Sequence, residues 1–173
     1  MDLLDRLLQH DADTTRELMG LCLPLSDEQL DRDFSLGPGG TLRSVWHHVV
    51  GNAVGWTALM QGVEPEQPRL TADAPIALMI EHYDRAAATL YTLARRIHDE
   101  GRLNDTFLDH LDDPPTLKPF GGAILHLATH GMHHRAQALY MMRQLGIPNV
   151  PEGDALGWEY DHTGGWKSPQ PGP

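Results

Sequence analysis

The chain has 173 residues, a length that suits one domain with a core of its own. Its 13 Lys and Arg against 24 Asp and Glu leave a net charge of −11. That balance argues against work on nucleic-acid backbones or anionic membranes, because both select clustered positive charge. No run approaches the ~18 apolar residues of a membrane span, and the acidic, amphipathic start MDLLDRLLQHD is not a secretory signal. One cysteine, Cys22, excludes an internal disulfide, and these features together predict a cytoplasmic location.

Apolar residues recur three or four apart, so the chain reads as mostly helical. A first helix is predicted over Asp2 to Leu21, with Leu4, Leu7, Leu8, Leu18 and Leu21 inward, ended by Pro24. A short turn of helix follows at Ser26–Leu30, where Ser26 and Gln29 have capping-box spacing. Ser35–Gly40 (SLGPGG) reads as a loop, and Thr41 as the N-cap of a second long helix over Leu42 to Gln61. Gly62 to Ala74, with Pro65 and Pro68, is a connection. Asp73 then reads as a cap and Pro75 as the first turn of a third helix. That helix carries the stripe Ile76, Met79, Ile80, Tyr83, Ala87, Leu90, Ala94, Ile97 and stops at Gly101. Arg102 to Lys118, containing Asp-Pro-Pro, reads as a short extended excursion. A fourth long helix over Phe120 to Leu145 is stopped by Gly146 and Pro148. Four long amphipathic helices with one long crossover predict an all-α four-helix bundle over residues 1–150, followed by an irregular tail over residues 151–173.

Histidine is the compositional outlier, with 11 copies, of which His126, His130, His133 and His134 fall within nine residues. In the fourth helix Ala123, Leu127, His130, His134, Gln137, Met141 and Leu145 follow one another at helical spacing, which places them on the seam that faces the bundle interior. On that reading His130 and His134 occupy core positions one turn apart, their imidazoles within reach of one ion. Thr41, Val45, His48, Asn52 and Leu59 share a face of the second helix, so His48 projects inward while His47 points about 100° away. Spacing alone leaves two readings open: imidazoles satisfied within the core, or a metal site. Three neutral imidazoles suit Zn²⁺, Ni²⁺ or Fe²⁺ and leave positions for water or substrate. Other metal bundles do not fit. A di-iron carboxylate site needs two Glu-x-x-His pairs, and only Glu159 with His162 has that spacing. His-Glu-x-x-His is absent, and no His is followed by Glu at the fourth position.

The segment HLATHGMHHRAQALYMMRQLGIP (His126–Pro148) resembles the last helix of the DinB/YfiT-like family, with its His, its HHRGQ-like cluster and its run into a proline-containing loop. LRSVWHHVVGNAVGW (Leu42–Trp56) is similar to that family's second helix, and LSDEQLDRDF to its lead-in. The likeness covers nearly the whole chain except the tail, and departs at Ala136, where the family often has Gly. It implies a four-helix bundle with a three-histidine metal site formed by His48, His130 and His134. It also implies homodimers, and in related branches the use of low-molecular-weight thiols such as bacillithiol or mycothiol.

Of the remaining candidates, Gln137 and Asn52 read as hydrogen-bonding residues of the site, Asn52 equally as a packing residue. His126 and His133 read as flanking donors or subunit-contact residues. Arg135 matches the family cluster. Cys22 reads as an inert buried thiol, Trp46, Trp56 and the Met141–Met142 pair as core, and the GPGG run lacks the Gly-Lys-Ser/Thr of a phosphate loop. Tyr140 and Met142 lie off the histidine seam and suggest a face for a second copy of the chain. The expected activity is that of a metal-dependent thiol transferase or hydrolase acting on a small molecule. The alternative is a non-catalytic bundle that holds a metal and a small molecule, and the openness of the site to solvent discriminates the two.

Overall fold

The computed structural model describes residues 1–36, 39–65 and 69–166. Gly37 and Pro38 of the expected loop, Pro68 of the expected connection and the end of the tail from residue 167 lie outside the described residues. Four long helices, α1 (Leu3–Leu21), α3 (Leu42–Gln61), α4 (Ile76–Asp99) and α5 (Phe120–Gln144), form the bundle. Both α1 and α3 pack against both α4 and α5, so the four helices close a ring. The short α2 (Asp27–Leu30) precedes α3, and α6 (Ala155–Thr163) follows α5.

Local chemistry explains the helix starts. Asp2 and Asp5 exchange side-chain and backbone hydrogen bonds in a reciprocal capping box, as do Ser26 and Gln29, and Thr41 Oγ1 accepts from Ser44 N–H at 3.1 Å. Asp73 does not cap α4: Pro75 is extended (φ −62°, ψ 145°) and occupies the N-cap position, so the helix begins at Ile76. Buried Arg43 ties α2 to the bundle by donating to Asp27, to Asp31 (2.7 and 3.1 Å) and to the Ala74 carbonyl (3.2 Å).

The core has two adjoining parts. One gathers Leu18, Met19, Cys22, Trp46, Val50, Met79, Met141 and Met142, and the other Leu8, Leu59, Leu90, Ile97, Phe107, Phe120 and Leu127. Burial of each large apolar side chain is worth ~1.5–3 kcal/mol, which stabilises the fold mainly through these stripes. Within the first part Trp46 Nε1–H donates to Cys22 Sγ at 3.3 Å. Met142 is wholly buried in its own chain, which corrects its assignment to a subunit-contact face.

The predicted extended excursion is an antiparallel hairpin, β1 (Thr106–Asp109) paired with β2 (Thr116–Pro119) in the register Phe107↔Lys118. Phe107 packs between Phe120 (5.1 Å between ring centroids) and Trp56 (6.3 Å), and Lys118 lies over the Trp56 ring. Lys118 also pairs with Asp109 at 2.6 Å and Asp112 at 2.9 Å. The tail is not irregular throughout, because residues 155–163 form α6. Asp154 caps it by accepting from Leu156 and Gly157 N–H, and Gly164, at φ 75°, ends it. No α6 residue is buried. Charged and polar contacts to α1 hold it: Arg6 with Glu159 at 2.8 Å and Trp158 Nε1–H with Asp13 at 2.9 Å.

The α1 start gives a pH test. Asp2 is held down to about 2, first by the Asp5 N–H it accepts and then by Arg95. A carboxyl depressed on folding stabilises above its ordinary value of 3.8, and that contribution is lost as pH falls from there through about 2. Asp2→Asn should therefore lower the urea midpoint near neutral pH, with the difference from the parent protein fading between about pH 4 and about pH 2. A difference that persists unchanged in acid would mean that the charge contributes nothing.

Candidate metal centre

α3 and α5 bring His48, His130 and His134 together. The ring nitrogens that these three residues offer all lie within 4.8 Å of one another, the one such group of three or more His, Cys, Asp or Glu among the described residues. His48 Nε2 faces His130 Nε2 at 3.0 Å, and the ring centroids of His130 and His134 are 4.4 Å apart. Asn52, one turn along α3 from His48, directs Nδ2–H toward His48 Nε2 (2.9 Å) and His130 Nε2 (3.2 Å). Gln137 Oε1 lies 2.7 Å from His134 Nδ1, a contact that places the proton on Nδ1 and leaves Nε2 as the lone-pair nitrogen. Gln137 Nε2–H points at His133 Nε2 at 3.3 Å, so one amide orients two imidazoles.

The cluster is not in the core, contrary to the seam reading. His48 is exposed and His130 and His134 are half-buried. Val45, Val49 and Ala53 of α3 join Ala138 and Met141 of α5 in the apolar core, and the imidazoles occupy the solvent edge of that contact. Three imidazole rings fully buried without partners would cost more than the bundle gains from covering them. An open cleft of about 320 Å³, lined by Gly39, Gly40, Ser44, Val45, Gln137 and Met141, reaches His48 and His134.

Burial, more than any other cause, lowers the pKa of all three histidines. His130 falls to about 4, with His134 and His48 adding to the effect, and the Gln137 contact offsets part of the shift at His134. All three are therefore neutral near pH 7, the state in which imidazole donates a lone pair to a metal.

The neighbouring histidines sort by position. His47 is turned away, its Nε2 3.2 Å from the Leu70 carbonyl. His126 stacks on His130 (5.0 Å, 20° between planes) and lies 5.5 Å from the Trp56 ring, so Trp56 borders the site as well as the core. Cys22 is wholly buried, and burial pushes its thiol up to about 11. Glu159 and His162 lie on α6, where His162 stacks on Trp158.

Sequence reasoning left one residue group unassigned. Arg135, 4% exposed, reaches from α5 into α1, where it pairs with the Asp11 carboxylate and donates to Thr15 Oγ1 at 2.9 Å. Tyr83 O–H of α4 donates to Asp11 Oδ2 at 3.3 Å. Burial raises the Asp11 carboxyl above its ordinary range, and Arg135 offsets part of that rise. A Cβ at Gly131 would lie 2.6 Å from Asp11 Oδ1, so glycine there is what lets α1 approach α5. The signal in the sequence was the Gly131/Arg135 spacing, one residue out of phase with His130/His134.

The model of the DinB family matches residues 1–161. The chain belongs to the DinB family. Its fold is similar to the crystal structure of a DinB-like protein from Bacillus cereus, with a TM-score of 0.59 and 22% identity over 83% of this chain and 90% of that one. At that identity the likeness concerns the fold. No protein of curated function matches the chain. Among the described residues of this DinB-family member, no helix is long and apolar enough to cross a membrane.

The buried pair makes a stability test. Asp11→Ala leaves the Arg135 guanidinium without its counter-charge and should cost about 3–5 kcal/mol in urea unfolding. Tyr83→Phe removes one hydrogen bond and should cost only about 1 kcal/mol. Equal losses in the two variants would overturn this account of the network.

Proposed function

We propose that His48, His130 and His134 hold a divalent ion, Zn²⁺, Ni²⁺ or Fe²⁺, and that the protein is a metal-dependent enzyme acting on a small molecule. The observation that carries the reading is the convergence of three neutral imidazoles with Gln137 fixing one tautomer, a donor set that suits borderline ions. Such an ion, when bound, lowers the pKa of a coordinated thiol or water and so supplies a nucleophile near neutral pH. The chain's own residues orient and admit. Gln137 sets the ring plane of His134, Asn52 stands beside His48 and His130 as a donor, and the cleft gives a small molecule a path from solvent. That open path favours catalysis over a closed, non-catalytic store.

Among the described residues that line the cleft there is no carboxylate to serve as a general base toward water. This favours an exogenous thiol, of the bacillithiol kind, over hydrolysis. We place the protein in the cytoplasm as a homodimer, paired through the exposed face of α5 that carries Leu125, Met132 and Tyr140. A 19.2 kDa particle in light scattering at micromolar concentration would remove the dimer.

Two measurements test the proposal. His48→Ala and His134→Ala should each lose most of the metal found in protein purified without an affinity metal column. His47→Ala and His133→Ala should retain it, or bind ~10–100-fold more weakly. Retention in His134→Ala with loss in His133→Ala would show that the ligand register is wrong. The metal-loaded protein should also turn over small electrophiles with at least one cellular thiol, and failure with every thiol, bacillithiol included, would end the transferase reading.

A further inference from the structure

A second cleft lies on a different stripe of α3, turned by about 100° from the histidine cluster. His47, Val50, Gly51 and Val54 share that stripe, whereas His48 and Asn52 share the other. The cleft has a volume of about 310 Å³, at the lower end of small-molecule sites, and none of His48, His130 and His134 lines it. Gly51 and Gly55 open it, because a Cβ at either position would meet nothing within 4 Å. Its walls are apolar, with Val50, Val54, Leu59 and Leu70 among them.

One buried polar side chain in this wall makes no contact of its own with a polar group among the described residues. His82, on α4, is 9% exposed and makes no hydrogen bond, ion pair or ring contact among the described residues. Its ring nitrogens are not sealed, since Thr57 Oγ1 is the one sealed side-chain nitrogen or oxygen without a partner among the described residues, so they stay open to a ligand in the cleft. Other polar side chains line the cleft as well. His47, His110 and Arg69 accompany His82, against one carboxylate, Glu64, and Arg69 makes no ion pair among the described residues. His47 is engaged with the Leu70 carbonyl, so the Arg69 guanidinium and the His82 ring N–H stand as donors to a ligand, beside apolar walls.

We infer that this cleft is a second binding site, separate from the three-histidine cluster, for a small monocarboxylic acid with an apolar body. The carboxylate would accept from the His82 ring N–H and face Arg69, and the hydrocarbon would lie along the α3 valines. Neutral imidazole suffices as the donor, so the site needs no protonation change.

Octanoate is the probe, with octylamine as its cationic counterpart, titrated calorimetrically into the full-length protein and followed through the His82 ring resonances. Octanoate should bind and shift His82, while octylamine should not. His82→Leu should weaken octanoate by about tenfold or more, since a hydrogen bond to a charged group is lost. Gly55→Leu, which fills the cleft while improving helix propensity, should abolish binding without loss of fold. His134→Ala should leave octanoate affinity unchanged. The proposal is overturned if octanoate fails to bind the parent protein, or if octylamine binds equally well. It is overturned too if His134→Ala loses the acid while His82→Leu keeps it, which would move the acid to the histidine cluster. Conversion of a dimer to a monomer by Gly55→Leu, with no octanoate binding in the parent, would show instead that a second copy of the chain covers the cleft.

Discussion

Arg135 reaches from α5 into α1, where the Asp11 carboxylate and Thr15 Oγ1 take its N–H groups, and with that contact the rotation of α5 is set. In an α-helix successive residues turn by about 100°, so directing Gly131 and Arg135 at α1 turns His130 and His134 toward α3. A buried ion pair is a weak source of net stability, because desolvation opposes the attraction. Its contribution here is geometric. An apolar residue at position 135 could slide along α1, whereas a guanidinium held by the Asp11 carboxylate, the Asp11 backbone carbonyl (3.3 Å) and Thr15 Oγ1 cannot, and Gly131 removes the side chain that would hold the helices apart.

The opposite flank of the cluster is braced from the hairpin. Lys118, pinned by Asp109 and Asp112, lies over Trp56, and Trp56 lies against His126, which stacks on His130. Aromatic and cationic contacts of this kind are individually modest, yet they join β2, α3 and α5 in one chain of contact ending at an imidazole. That chain of contact braces the His130 ring beside those of His48 and His134.

The features legible in the sequence were those that depend on neighbours in the chain. The caps at Ser26 and Thr41, the stripe of α4 and the i,i+4 pair on α5 follow from helical geometry and local hydrogen bonding. Asp73 resembled a cap because the local pattern does not reveal that Pro75 stays extended and occupies the position itself. The depth of the histidines was not legible either, since periodicity tells which residues share a face and not where two facing helices meet the solvent. Met142 shows the converse, a residue off the seam that other helices bury completely. α6 has no apolar stripe to read. Asp154 and Gly164 were the available signals, and the contacts of Glu159 and Trp158 with α1 come from residues more than a hundred positions away.

The packing of Trp46 on Cys22 also bears on the chain's own reactivity. A sulfur sealed beneath an indole and ionising only near 11 supplies no thiolate in neutral solution, and thiolate is the form that attacks disulfides and binds borderline ions. The protein's one sulfhydryl therefore stands outside thiol exchange. It forms no mixed disulfide with a soluble thiol and does not compete for an ion that such a thiol is to reach. In a chain proposed to handle thiols from outside, that silence keeps the sulfur chemistry at the histidines entirely that of the guest.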